Sequence, residues 1–176
     1  MDVAAAEASP EQKAVSAHSM NSSLREQALG HIFLGQLLAH MWSNNRHDIE
    51  VLKAEVDYGG YDVVLECDGI LRHVQLKTRF RGSTVAQVDV NTKLLAKPGG
   101  CVIWVEFDPQ TMTLDKFYWF GGAPGTPLPA LGGRISKHSR GNSLGEKNER
   151  PIHRVVPKGR FEVLDSIAAL VTKLFG

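Results

Sequence analysis

The sequence predicts a mixed α/β fold, a central sheet with helices packed on it, from three observations. Apolar residues recur at helical spacing after Ser23, two alternating segments flank the dipeptide Asp68-Gly69, and two further strand-like runs precede a second amphipathic segment at the end of the chain. Helical and strand periods in one chain of ordinary domain length give this class.

Residues 1–22 are rich in Ala and Ser and show no sustained period, so they read as a mobile arm, with residues 23–176 forming one domain. Ser23 and Glu26 fit a capping box, and Leu29, Phe33, Leu37 and Met41 follow at i, i+4 steps, which predicts a helix over 24–42. Strands are expected at Ile49–Val56, Tyr61–Cys67 and Ile70–Thr78, the last two joined by Asp68-Gly69, a pair suited to a two-residue hairpin turn. Val85, Val88 and Val90 alternate, and a short helix over Asn91–Lys97 is closed by Pro98-Gly99-Gly100. Cys101–Phe107 and Leu114–Phe120 read as strands, Gly121–Gly133 as loop, Arg134–Arg160 as a polar basic loop, and Phe161–Phe175 as the final helix. Trp42, Trp104 and Trp119 fall in core patterns.

With 176 residues, 43% hydrophobic and 22% charged, the chain can build a substantial core. No apolar run approaches the about 18 residues a membrane helix needs, and Met1–Ser23 lacks the basic and apolar regions of a leader. The two cysteines, Cys67 and Cys101, sit in apolar strands, which gives no support for a disulfide scaffold or thiolate zinc site and suits a reducing compartment. A soluble, cytoplasmic protein is the expectation. The net charge of +1 hides an asymmetry. Residues 48–68 hold seven acids and one lysine, whereas residues 134–160 hold eight Lys/Arg and two acids, so a stretch suited to cations and one suited to phosphate nearly cancel.

The hairpin turn sets the register of its strands and places Asp62 opposite Gln75. Alternation then puts Asp62, Val64 and Glu66 on one face with Leu71, His73, Gln75, Lys77 and Arg79, while Tyr61, Val63, Leu65, Cys67, Ile70, Val74 and Leu76 form the core face. Opposed Cβ atoms are about 5 Å apart and diagonal ones roughly 7–8 Å, so Asp62, Gln75 and Lys77 can reach one shared object. A carboxylate, an amide oxygen and the Leu76 carbonyl are hard ligands suited to Mg²⁺, and an adjacent lysine can orient water or offset charge growing on a phosphate. An exposed Asp62–Lys77 ion pair, worth at most about 1 kcal/mol, is the bland alternative. For Glu26 it is the capping box, and for His73 and His31 a solvated or boundary position. Glu55 and Asp57 rank below Asp62 as acids near the hairpin.

Asp62 in Gly-Gly-Tyr-Asp-Val-Val, followed across the hairpin by Gln75-Leu76-Lys77, resembles the active-site signature of the PD-(D/E)xK, or restriction-endonuclease-like, nuclease superfamily in the form where Gln replaces the second acid, similar to that of Mrr-type restriction enzymes. The resemblance extends to the order of elements from residue 24 to 107 and implies an αβββαβ core. It implies that Asp62 and Gln75, joined by Glu26 from the first helix, hold Mg²⁺ or Mn²⁺, and that Lys77 serves the attacking water. The implied activity is endonucleolytic cleavage of DNA, and many such enzymes act as homodimers. No proline precedes Asp62 and Gln75 is uncharged, which puts metal affinity on Asp62 and Glu26. Arg79, Arg81, Lys137, Arg140, Lys147 and Arg150 are the expected phosphate contacts. The alternatives are a non-catalytic nucleic-acid-binding module of the same fold and a protein-interaction domain docking through the polar hairpin face.

Overall fold

The structure, a computed structural model, describes residues 20–56, 58–138, 145 and 147–176; residues 1–19 of the arm expected over 1–22, Asp57 and Arg140 lie outside the described residues. The first helix, α1 (Ser22–Ser43), is followed by β1 (Glu50–Lys53), β2 (Val63–Cys67) and β3 (Ile70–Phe80). Asp68 and Gly69 both adopt positive φ, 51° and 72°, as a tight hairpin turn between twisted strands requires. They set the pairing from Cys67↔Ile70 to Val63↔Val74, the register the turn predicts.

After β4 (Gln87–Asn91) and a 3₁₀ turn over Thr92–Ala96, β5 (Cys101–Phe107) joins β3 in parallel, and β6 (Leu114–Gly121) pairs antiparallel with β5. Strands β7 (Ile135–Lys137) and β8 (Glu149–Pro157) precede β9 (Glu162–Leu164) and α2 (Ile167–Phe175). The result is a mixed six-stranded sheet in the order β1-β2-β3-β5-β6-β9 and a three-stranded sheet in the order β4-β8-β7. This is the expected restriction-endonuclease-like α/β architecture, with a 3₁₀ turn where the short helix was expected.

Both helices cover one face of the large sheet. Phe33, Leu37 and Met41 of α1 and Leu170, Val171 and Leu174 of α2 pack with Val63, Leu65, Val74, Ile103 and Trp119. The other face carries a second core of Val102, Trp104, Tyr118 and Phe120 under Val90, Leu94, Val156 and Phe161. It is not the solvated polar face that alternation suggested, because the segment expected as a basic loop, Arg134–Arg160, contributes β7 and β8, 12 of its 20 described residues, which cover that face with β4.

Other differences have local causes. Helix α1 starts at its N-cap Asn21, so Ser23 is already helical rather than the cap, and Glu26 contacts Arg25 at 3.3 Å instead of closing a capping box. Trp42 is 71% exposed, its ring tilted against that of His47 at 4.6 Å rather than packed in the core. The C-terminal helix begins only at Ile167, where Ser166 Oγ accepts the Ala169 N–H, because 162–164 pair with β6 as β9.

Arg72, which alternation alone would assign to the apolar face, is fully buried there. Its guanidinium donates to the carbonyls of Leu174 (2.7 Å), Lys173 (2.9 Å) and Gly122 (3.2 Å) and lies 5.4 Å from the Trp119 ring centroid. It thus ties β3 to the C-terminal end of α2, where a cation suits the helix dipole, although burial pulls its pKa below the ordinary value. We expect Arg72→Ala to lower stability by about 3–5 kcal/mol in urea unfolding, since three carbonyls lose a charged donor, with Arg72→Met recovering part through packing.

Candidate active site

The site follows from unequal strand lengths. Strand β2 has five residues and β3 eleven, so beyond Val74 the described strands pair with β3 only on its β5 side. The Asp62 N–H still donates to the Val74 carbonyl (2.8 Å), but the next rung is made by a side chain: the Leu76 N–H donates to Asp62 Oδ2 at 2.6 Å. The carboxylate therefore lies at the open edge of β3, held by a backbone donor. A strand residue's N–H and C=O face the same edge, which turns the Leu76 carbonyl toward this edge as well.

A bend delivers Asp62 there. Gly60 has φ 75°, and a Cβ on it would come within 2.8 Å of the Asn91 side chain, so only glycine fits. The bend also breaks the alternation. Tyr61, expected on the face of Val63, packs against the second core, its ring edge-on to His73 at 4.8 Å.

A cavity of about 480 Å³ opens at this edge, and Asp62, Gln75, Lys77 and Glu26 all line it. Phe33, Leu34 and Leu76 give it apolar walls; Arg25 and Lys53, which sequence patterns did not single out, add positive charge. Lys53 lies 3.4 Å from His31 Nδ1. Gln75, expected on a solvated face, is only 5% exposed, and its Oε1 accepts the Asn91 N–H at 3.4 Å. Lys77 is half-buried and has no hydrogen-bond or ion-pair partner among the described residues. Glu26 sits on the rim, its side chain 64% exposed.

The expected phosphate contacts do not form one track. Arg79 is buried, paired with Glu106 at 3.1 Å, bonded to the carbonyls of Ser83 and Val85 and stacked 5.2 Å over Trp104. The face it shares with Gln75 is the one covered by the second sheet. Arg81 pairs with Asp108 (3.3 Å) and Asp115 (2.9 Å), and Arg150 with Asp89 (3.2 Å). Lys137 and Lys147 remain exposed.

At the opposite end of the hairpin, Asp48, Cys67 and Asp68 bring potential ligand atoms within 4.8 Å of one another. These groups already satisfy each other. The Asp68 N–H donates to Asp48 (2.7 Å), which holds that carboxyl below its ordinary range; the Cys67 thiol donates to Asp48 (3.4 Å); and Arg46 pairs with Asp68 (2.9 Å). Burial pushes the Cys67 thiol up to about 11 and that of Cys101 up to about 12, so neither is a thiolate near neutral pH.

No family model and no curated protein matches the chain. Among solved structures a bacterial homing endonuclease is similar, with 19% identity and a TM-score of 0.30, over 67% of this chain and 83% of that one. A likeness of that size assigns neither fold nor activity. Among the described residues no helix is long and apolar enough to cross a membrane.

Two measurements check this geometry. The Leu76 amide should exchange slowly in the native protein and in Asp62→Asn, whose amide oxygen keeps an acceptor, but about tenfold faster in Asp62→Ala. Iodoacetamide should leave both cysteines of the native protein unmodified at pH 8, label them once urea unfolds the chain, and begin to reach Cys67 as pH rises toward 11.

Proposed function

We propose that the chain is a divalent-metal-dependent nuclease that hydrolyses phosphodiester bonds of DNA in the Asp62 cavity. The observation that carries this reading is the meeting of Asp62, Gln75 and Lys77, distant along the hairpin, on one cavity at the open edge of β3. The Leu76 N–H fixes one oxygen of the Asp62 carboxylate, and the Leu76 carbonyl turns to the same edge. These hard oxygens fit Mg²⁺ or Mn²⁺, with Asp62 and the Leu76 carbonyl as principal ligands. Gln75 is a weaker one, since its Oε1 already accepts the Asn91 N–H. A bound divalent ion supplies Lewis-acid charge and lowers the pKa of water.

The chain's own residues supply the rest. The Lys77 ammonium, without a carboxylate partner among the described residues, donates to water and to the phosphate oxygens. There it orients in-line attack and offsets the negative charge that grows as the new P–O bond forms and the ester P–O bond breaks. Arg25 and Lys53 draw the phosphate into the cavity, and Glu26 on the rim adds a carboxylate for cation or water. The neutrality and burial of Gln75 favour a second reading, a binding module of the same fold that does not cut.

End-labelled DNA incubated with the protein in Mg²⁺ or Mn²⁺ tests the proposal. Asp62→Ala and Lys77→Ala should each slow cleavage by about 10² or more, and Gln75→Glu should lower the Mg²⁺ concentration needed for half-maximal rate. Wild-type rates in both alanine variants would overturn the reading; salt-sensitive binding without cleavage by the native chain would favour the second.

A further inference from the structure

Next to the cavity, on its Gln75 side, the 3₁₀ turn and the loop before β2 are locked together. Asn91 donates its N–H to Gln75, accepts the Lys93 N–H on its side chain (3.0 Å) and packs on Gly60. The lock stacks two lysines on two tyrosines: the Lys93 ammonium lies 3.5 Å from the Tyr58 ring centroid and that of Lys97 5.3 Å from Tyr61, which itself lines the cavity. Tyr58 is nevertheless 75% exposed, so one face of its ring carries a cation while the other is open.

We propose that Tyr58 and Lys93, backed by Tyr61 and Lys97, form a stacking platform for an unpaired nucleotide, so that the nucleic acid taken at this cavity is single-stranded there. The inference rests on the phosphodiester reading of the cavity and names its substrate class. An open tyrosine face takes any base whose own π face is free, and such stacking contributes about 1–3 kcal/mol per base; bases inside a duplex have no free face. Lys93 and Lys97 have no carboxylate at ion-pair distance among the described residues, so they can neutralise the phosphates on either side of the stacked base. Among the described residues, the acids on the cavity are Asp62 and Glu26, and Glu55 precedes Tyr58 in the same loop; Asp57, next to Tyr58 in sequence, lies outside the described residues.

Two observations argue against a duplex reader. Helix α1 carries no Lys, Arg, Asp or Glu from Gln27 to its end. Lys173 of α2 is paired with Glu162 at 2.9 Å. Neither described helix therefore offers a basic face to a groove.

The test uses the full chain carrying Asp62→Ala, so that binding is read without cleavage, with a fluorescent single-stranded oligonucleotide of about 12 nucleotides and its duplex, by anisotropy without divalent metal. The single strand should bind at least about tenfold more tightly than the duplex. Tyr58→Ala should weaken single-strand binding about tenfold and Tyr58→Phe leave it unchanged. Lys93→Ala should weaken binding and reduce the salt slope by about 0.7. Equal binding of duplex and single strand, or no loss in a Tyr58→Ala protein whose thermal melt matches its parent, would overturn the platform. Separating the two readings is direct. DNA cleavage that needs Asp62 but is indifferent to Tyr58→Ala overturns the platform and leaves the nuclease. Tyr58-dependent single-strand binding by a wild-type chain that cuts no DNA supports the platform and overturns the nuclease.

Discussion

The hydrogen bond from the Leu76 N–H to the Asp62 carboxylate, 2.6 Å long, joins the fold to its candidate chemistry. A strand that outruns its neighbour leaves backbone donors and acceptors exposed at an edge, where they must find other partners or water. Here the first donor past the end of β2 is taken by an acidic side chain, and one interaction both ends the sheet and anchors a charge. Moving Asp62 by one residue would break it, because the bend at Gly60 and the hairpin register together decide which side chain reaches the edge.

Both faces of the sheet must be covered for that edge to be stable. The helices cover one face, and Arg72 binds their side of the assembly by donating to the carbonyls at the end of α2. The three-stranded sheet covers the other, and its β4 places Asn91 against Gln75 and Gly60. The same packing that buries Gln75 and Arg79 positions the loop and the 3₁₀ turn on one side of the cavity. Cations divide accordingly: Arg79 and Arg150 pair with acids, whereas Lys77, Lys93 and Lys97 lack acidic partners among the described residues.

Local signals were readable in the sequence where their range is short. Asp68-Gly69 determines a hairpin by turn sterics alone, and from that register the meeting of Asp62, Gln75 and Lys77 follows. The i, i+4 stripe of Leu29, Phe33, Leu37 and Met41 marks a helix with the same economy. What escaped is set by contacts far apart in sequence. Of the strands in Arg134–Arg160, β8 pairs with β4 some 60 residues earlier, as in the Asp89–Arg150 ion pair, and β7 pairs with β8; their short polar runs resemble loop. Missing that sheet made the Gln75 face look solvated and Arg79 look available for phosphate. Alternation misplaces Tyr61 because it assumes a regular strand, and the bend at Gly60, three residues before β2, ends that regularity. Lys93 and Lys97 carry no motif; only the fold brings them to Tyr58 and Tyr61.

The central claim is that a divalent cation binds at the open edge of β3. Anomalous diffraction from Mn²⁺-soaked crystals of the full chain tests it most directly. The account predicts a peak at about 2.0–2.4 Å from an Asp62 carboxylate oxygen and the Leu76 carbonyl oxygen, abolished in Asp62→Ala. No peak at that edge, or one confined to Asp48, Cys67 and Asp68 at the far end of the hairpin, would contradict it.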